Sequence, residues 1–155
     1  MAGGAANPAV SVRSGAHRRL ETVASHCRER RVAAACAVVA AASHLPLIGR
    51  HLHEAPYIGW SFAVLAVVSV AIALALLARD DRRIWVTVVV LYSAAVLMYL
   101  VSRTVGLPQI SDDIGNWTEP ASFPALASEG GAVIVSVRVL IDTGFGPRRR
   151  RPRRS

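Results

Sequence analysis

"IGWSFAVLAVVSVAIALALLARDDRRIWVTVVVLYSAAVLMYLV", residues 58–101, decides the fold. Ile58 to Ala78 runs for 21 residues without an ionisable group, and Ile84 to Val101 is an apolar stretch of 18 residues. A helix crossing the hydrocarbon of a bilayer needs roughly 20 apolar residues. Both stretches therefore read as membrane spans. Trp85 stands near one end of the second and Tyr99 near the other, where amphipathic rings favour the membrane interface. Only "RDDRR" separates the two, which predicts a tight antiparallel hairpin with Arg79, Arg82 and Arg83 at its tip.

Working outward toward the N-terminus, Val32 to Ile48 is a stretch of 17 residues without a formal charge, just long enough to cross if its ends are supplemented. Its alanines make it weakly apolar but permit close helix approach, the packing mode available where lipid gives helices no hydrophobic drive to associate. Pro46 is expected to bend its last turn. Toward the C-terminus, Ala121 to Ile141 has 21 residues but includes Pro124, Glu129, Gly130, Gly131 and Arg138. Arg138 lies about 10 Å from the centre of that span, so its stem can snorkel to the nearer headgroups. Glu129 lies roughly 3 Å from the centre, where an acidic group costs about 2.5 to 3.5 kcal/mol on the insertion scale unless paired or protonated.

Charge bias decides between three and four spans. All 18 basic residues are arginine. Four spans place fifteen of them on one side: six before Val32, three at the hairpin tip and six in "PRRRRPRRS", residues 147–155. Arg50 and Arg103 fall on the other side. The positive-inside bias then puts both termini in the cytoplasm, whereas three spans would export the C-terminal arginines. The expected fold is an all-α, four-helix transmembrane bundle, N-in and C-in, in a bacterial plasma membrane. Its transmembrane domain covers residues 27–146, with spans near 32–48, 58–78, 84–101 and 121–141.

The rest of the composition fits this frame. A hydrophobic fraction of 53% with mean hydropathy +0.39 exceeds what a soluble domain of 155 residues usually carries. A pI near 11.1 invites nucleic acid as a partner, but the arginines flank apolar stretches as topology determinants do, which argues against it. Residues 1–26 bury too little apolar surface to offset ordering entropy and are expected to form a disordered basic tail. A cleaved signal peptide with Val32 onward as its apolar core would need an n-region of about 31 residues, far too long. The arginine-rich tail at 147–155 is expected to anchor topology and to attract anionic headgroups by about 1 kcal/mol per charge. Cys27 and Cys36 make no metal-knuckle spacing and are expected as free thiols on the reducing side.

Chemistry-bearing residues gather at the outward end. His44, His51, His53 and Glu54 fall within eleven residues, and imidazole with carboxylate suits a transition metal such as zinc, copper or iron. His44 and His51 would share a helix face, but Pro46 and Gly49 argue against an uninterrupted helix between them. Glu129, an ionisable group within a span, is expected to face the bundle interior or a wet cavity, and helical rise brings it to within about 6 Å of the depth of His44. Such a pair could relay a proton or complete a metal site. In the loop "SRTVGLPQISDDIGNWTEP", residues 102–120, Arg103 with Asp112, Asp113 and Glu119 is expected to form charge pairs, with Trp117 on the interface. Two adjacent aspartates can hold a hard cation, but the alternating ligands of an EF-hand are missing. Phosphate-cradling glycine loops, zincin helices and nucleophile elbows are absent from the sequence, so an enzymatic role has no motif behind it.

Taken together, "HLPL" at His44, "HLHEAPYIG" from His51 to Gly59 with Phe62, "SRTVGLP" from Ser102, then Trp117, Glu119, Pro120 and Glu129 resemble a family of small actinobacterial four-helix membrane proteins of uncharacterised function. The resemblance covers roughly residues 32–141. It implies that His44, His51, Glu54, Tyr57, Gly59, Arg103, Gly106, Pro108, Glu119, Pro120 and Glu129 are family positions, all in the outward half of the bundle. The chain departs from the family pattern at Arg50, where a second acidic residue is common, and by lacking a glutamine in the second helix. The resemblance supports the topology and supplies no activity. The leading expectation is a non-enzymatic membrane component whose outward His/Glu site binds a transition metal. The alternatives are a small proton-coupled transporter using Glu129, and a structural subunit that binds protein partners or its own copies.

Overall fold

The computed structural model describes residues 8–144 apart from 110, 112 and 121, with side chains from residue 26 onward. The chain forms four helices: α1 (Pro8–Glu54), α2 (Pro56–Ala78), α3 (Arg82–Thr104) and α4 (Ser122–Gly144). Each contains a segment long and apolar enough to cross a membrane, in α1 from His26 to Glu54. The most apolar is α2 and the least is α4. Even so α4 keeps 23 residues of helix, and at 1.5 Å per residue that length is about 34 Å, enough for hydrocarbon of about 30 Å.

Helix α1 extends beyond its apolar stretch at both ends. Residues 8–26 belong to it. Once a long helix is nucleated, adding residues such as Ala, Arg and Glu costs little. Residues 1–7 and the arginine-rich tail 147–155 lie outside the described residues. At its other end α1 passes straight through Pro46 and Gly49 to Glu54, so the expected break between His44 and His51 does not occur. Proline is tolerated in membrane helices because neighbouring structure re-satisfies the freed backbone. Here Pro46 is exposed while His44, His51 and Ala55 stay buried on the packed face.

A single residue, Ala55, turns α1 into α2, with Pro56 at the first helical position of α2. The turn is tight enough that a Cβ on Gly59 would lie 2.6 Å from the backbone nitrogen of Leu52. At the opposite end, Arg79 to Asp81 link α2 to α3. The Asp81 carboxylate caps α3 by accepting from the Arg83 amide at 2.8 Å, and the Trp85 indole donates to Asp80 at 2.9 Å. Arg30 of α1 closes the last turn of α2, donating to the carbonyls of Leu76 (2.6 Å) and Leu77 (2.7 Å).

The packing is not the hairpin order that the short link suggests. Helix α1 packs on α2 and α4, and α4 packs on α3, while α2 and α3 barely touch. Around the bundle the order is therefore α2, α1, α4, α3, with a gap between the first and the last. Side-chain size explains it. Ala33, Ala37 and Ala40 of α1 and Ala132 of α4 are small and fully or almost fully buried in the common core with Ile72, Leu76, Val88, Tyr92 and Val139, and small residues let helices close in. The facing sides of α2 and α3 carry the larger Val64, Leu65, Val68, Leu91 and Met98 beside the small Ser61, Ala94 and Ala95.

Candidate functional site

The gap between α2 and α3 widens, toward the end that carries the α1–α2 turn and the α3–α4 loop, into a cavity of about 600 Å³. Its walls are apolar and come from both helices. Exposed Trp60, Val64 and Met98 stand among the lining residues, so the cavity opens sideways, where lipid would lie.

Polar groups converge at its floor and rim. On α1, His44 is 5% exposed, and on α4 Glu129 is 3% exposed. His44 Nε2 stands 3.6 Å from Glu129 Oε1. The other imidazole nitrogen, Nδ1, lies 2.7 Å from the carbonyl of Ala40. A carbonyl only accepts, so geometry assigns the proton of Nδ1 to that bond and leaves Nε2 for the carboxyl. At 3.6 Å the pair is just beyond a direct hydrogen bond. Among the described residues Glu129 Oε1 has no hydrogen-bond partner. His51, two turns further along α1, repeats the arrangement, with Nδ1 2.9 Å from the carbonyl of Leu47. Phe62 of α2 sits between the two imidazoles, with ring centroids 5.1 Å from each.

The rim is built around Arg103, in the last turn of α3 and 4% exposed. Its Nη1 lies 2.7 Å from a carboxylate oxygen of Asp113 and its Nη2 pairs with the carboxylate of Glu119. The guanidinium also stacks over Tyr99 at 5.1 Å from the ring centroid, an added electrostatic attraction. The loop is pinned besides by Tyr57 of α2, which donates to the carbonyl of Pro108 at 2.6 Å, and by the Gly115 amide, which donates to the carbonyl of Arg103 at 2.9 Å. Gly106 turns the chain with φ of +83°, a conformation glycine adopts without penalty.

Of the residues singled out in the sequence, the structure brings together His44 with Glu129, and Arg103 with Asp113 and Glu119. Asp112 lies outside the described residues. It does not bring together the proposed metal set. His53 and Glu54 are exposed, and Glu54 pairs with Arg50 at 3.1 Å. Among the described residues no three of His, Cys, Asp and Glu are placed to hold a metal ion. The reason is the unbroken helix: His51 and His53 would point the same way on an extended backbone, but on a helix residues two apart diverge. Cys27 and Cys36 are free thiols, the first exposed and the second half-buried.

The sequence pattern includes Phe62 and Ser102 but gives them no role; in the structure Phe62 separates the imidazoles and Ser102 joins the lining, as does Ser122, which the sequence reading does not single out. Deeper in the bundle, the hydroxyls of Ser69 on α2, Tyr92 on α3 and Ser136 on α4 are fully buried; Ser69 and Tyr92 approach each other, and Ser136 has no partner among the described residues. A serine within an apolar span was a usable signal, since hydroxyls there tend to face other helices. No family model, no curated protein and no solved structure matches the chain.

Proposed function

We propose that this chain is a multi-pass protein of a bacterial plasma membrane, with both termini in the cytoplasm, and that His44 and Glu129 form a proton-carrying site in the outward half of a laterally open cleft, as a small proton-coupled carrier requires. The observation that carries the reading is the buried approach of His44 Nε2 to Glu129 Oε1 at 3.6 Å, inside the cavity. With Nδ1 engaged by Ala40, one labile proton serves the pair, as imidazole with carboxylic acid or as imidazolium with carboxylate. Either form is neutral overall, the arrangement a low-dielectric site favours. Losing that proton leaves one buried negative charge, which costs free energy unless another cation arrives. Proton release is thereby tied to uptake.

The topology rests on the arginines, fifteen of eighteen on the cytoplasmic side when all four helices cross. In that orientation the arginine-rich tail meets the anionic inner leaflet. Among the positions of the resemblance, His44, Tyr57, Arg103, Glu119 and Glu129 all line the cavity, which supports reading the cavity as the site. Infrared difference spectroscopy across a pH titration tests the proton site. A protonated-carboxyl stretch that disappears with rising pH, is missing in Glu129→Gln and moves its midpoint in His44→Ala is the expected result. A band that Glu129→Gln leaves untouched, or none at any pH, overturns the reading.

A further inference from the structure

Resting on that reading of Glu129, we propose that the cleft between α2 and α3 binds a hydrophobic organic cation, an ammonium or phosphonium with bulky apolar substituents, in exchange for the proton of the Glu129 carboxyl.

Three observations choose this ligand class. The first is the shape and chemistry of the walls. A cavity of about 600 Å³ lies within the range of pockets for drug-sized molecules, roughly 300 to 1,000 Å³. Val64, Leu65, Val68, Leu91 and Met98 line it from two helices, so the ligand's body must be apolar. The lateral opening lets it enter from lipid, where such a molecule concentrates.

The second is charge. The ionisable groups around Glu129 are His44 and, further along α1, His51 and Cys36; Tyr92, Tyr99 and Arg103 on α3; and Asp113 and Glu119 in the loop. Helix α2 adds only Tyr57, near its start. The one guanidinium in the lining has both terminal nitrogens engaged, by Asp113 and Glu119. With Arg103 neutralised by one of these carboxylates, the other remains in excess, and Glu129 adds a third carboxyl. An anionic headgroup entering here would meet two carboxylates and a guanidinium whose terminal nitrogens are both engaged, with only the buried Nε unpartnered among the described residues. A cation meets unspent negative charge at the rim and, at the floor, Glu129 Oε1, which becomes anionic once its proton leaves, is buried without a hydrogen-bond partner among the described residues and borders the cavity.

The third is aromatic lining. Trp60 and Phe62 border the cavity, and ring faces attract organic cations more strongly once water is excluded. Tyr99 is already covered by Arg103 and Phe62 is flanked by His44 and His51, which leaves the exposed Trp60 as the open ring for the ligand. The exchange conserves charge: the O–H bond of Glu129 breaks, its proton leaves to water on the outward side, and the carboxylate retains the cation as an ion pair. Protonated His44 would oppose the cation, so the imidazole must be neutral when the ligand is bound.

Tetraphenylphosphonium and tetraphenylborate, ions of the same shape and opposite charge, provide the test. Equilibrium dialysis of the full chain in detergent should show saturable phosphonium binding, at least about tenfold tighter than borate binding and stronger as pH rises. Glu129→Gln should weaken phosphonium binding by at least about tenfold with elution profile and helical content unchanged. Ala95→Trp, which puts a bulky ring on the α3 wall of the cleft, should abolish binding while the infrared titration of Glu129 persists. Absence of saturable phosphonium binding, equal affinity for the two ions, or binding indifferent to both substitutions overturns the proposal. A Glu129 band that titrates normally in a protein that ignores phosphonium removes the ligand class and leaves the proton site standing. Loss of the band removes the proton site itself.

Discussion

Replacing Arg103 with alanine should leave the carboxylates of Asp113 and Glu119 side by side at the rim without their counter-charge. Removing one partner of a buried ion pair typically costs about 3 to 5 kcal/mol, and Arg103 is 4% exposed. We expect Arg103→Ala to lower unfolding stability in detergent by about 3 kcal/mol and to speed proteolysis within residues 105–120. Arg103→Lys should fall between, since an ammonium lacks the planar fork that engages two carboxylates at once. Unchanged unfolding in the alanine variant would show that the rim pairs contribute nothing. The importance of Arg103 and Glu129 was legible in the sequence, as the basic residue at the end of one span and the acidic residue near the middle of another. The division of labour among the histidines was not. His44, His51 and His53 look alike in a list, and only the face of α1 on which each falls separates two buried imidazoles from an exposed one.

At the scale of a helix, two glycines ten positions apart should respond in opposite directions. A Cβ on Gly49 would meet nothing within 4 Å, whereas one on Gly59 would meet the backbone of Leu52 at 2.6 Å and 2.9 Å. Gly49→Ala should be neutral or should stabilise by up to about 1 kcal/mol, because alanine is the better helix former. Gly59→Ala should destabilise by about 1 to 3 kcal/mol, the usual range for overpacking, because backbone cannot give way as a flexible side chain can. Thermal unfolding of both variants in one detergent checks the contrast, and equal midpoints would contradict the closeness of the α1–α2 turn. Ala37→Leu, at a fully buried position of the α1 stripe, should likewise cost about 1 to 3 kcal/mol. The apolar spans announced themselves in sequence, and the ends of the last three fall within three residues of the expected bounds, but the C-terminal end of the first does not. Pro46 signals a break by its local chemistry, and the packing of the flanking buried residues overrides it.

For the whole molecule, sidedness is the property to test. Cys27 is exposed on α1, ahead of the apolar stretch that begins near Val32, so the proposed orientation puts it in the cytoplasm. A membrane-impermeant maleimide should label Cys27 only after cells are permeabilised. A reporter fused after Ser155 should remain unexported. Labelling of Cys27 on intact cells, or export of the reporter, would remove the orientation and with it the outward placement of the cleft.

The sequence alone determined that four stretches can cross a membrane, that two of them are joined by a short charged link, and that one carboxyl interrupts an apolar span. These are properties of single segments, because the free energy of moving a stretch into hydrocarbon accumulates residue by residue along it. Tertiary structure alone decided that α2 and α3 part despite their short link, that His44 meets Glu129 while His53 turns away, and that a cavity opens between the separated helices. Those outcomes depend on pairs of surfaces. Small residues on α1 and α4 permit close approach, a matching of faces that no segment carries by itself.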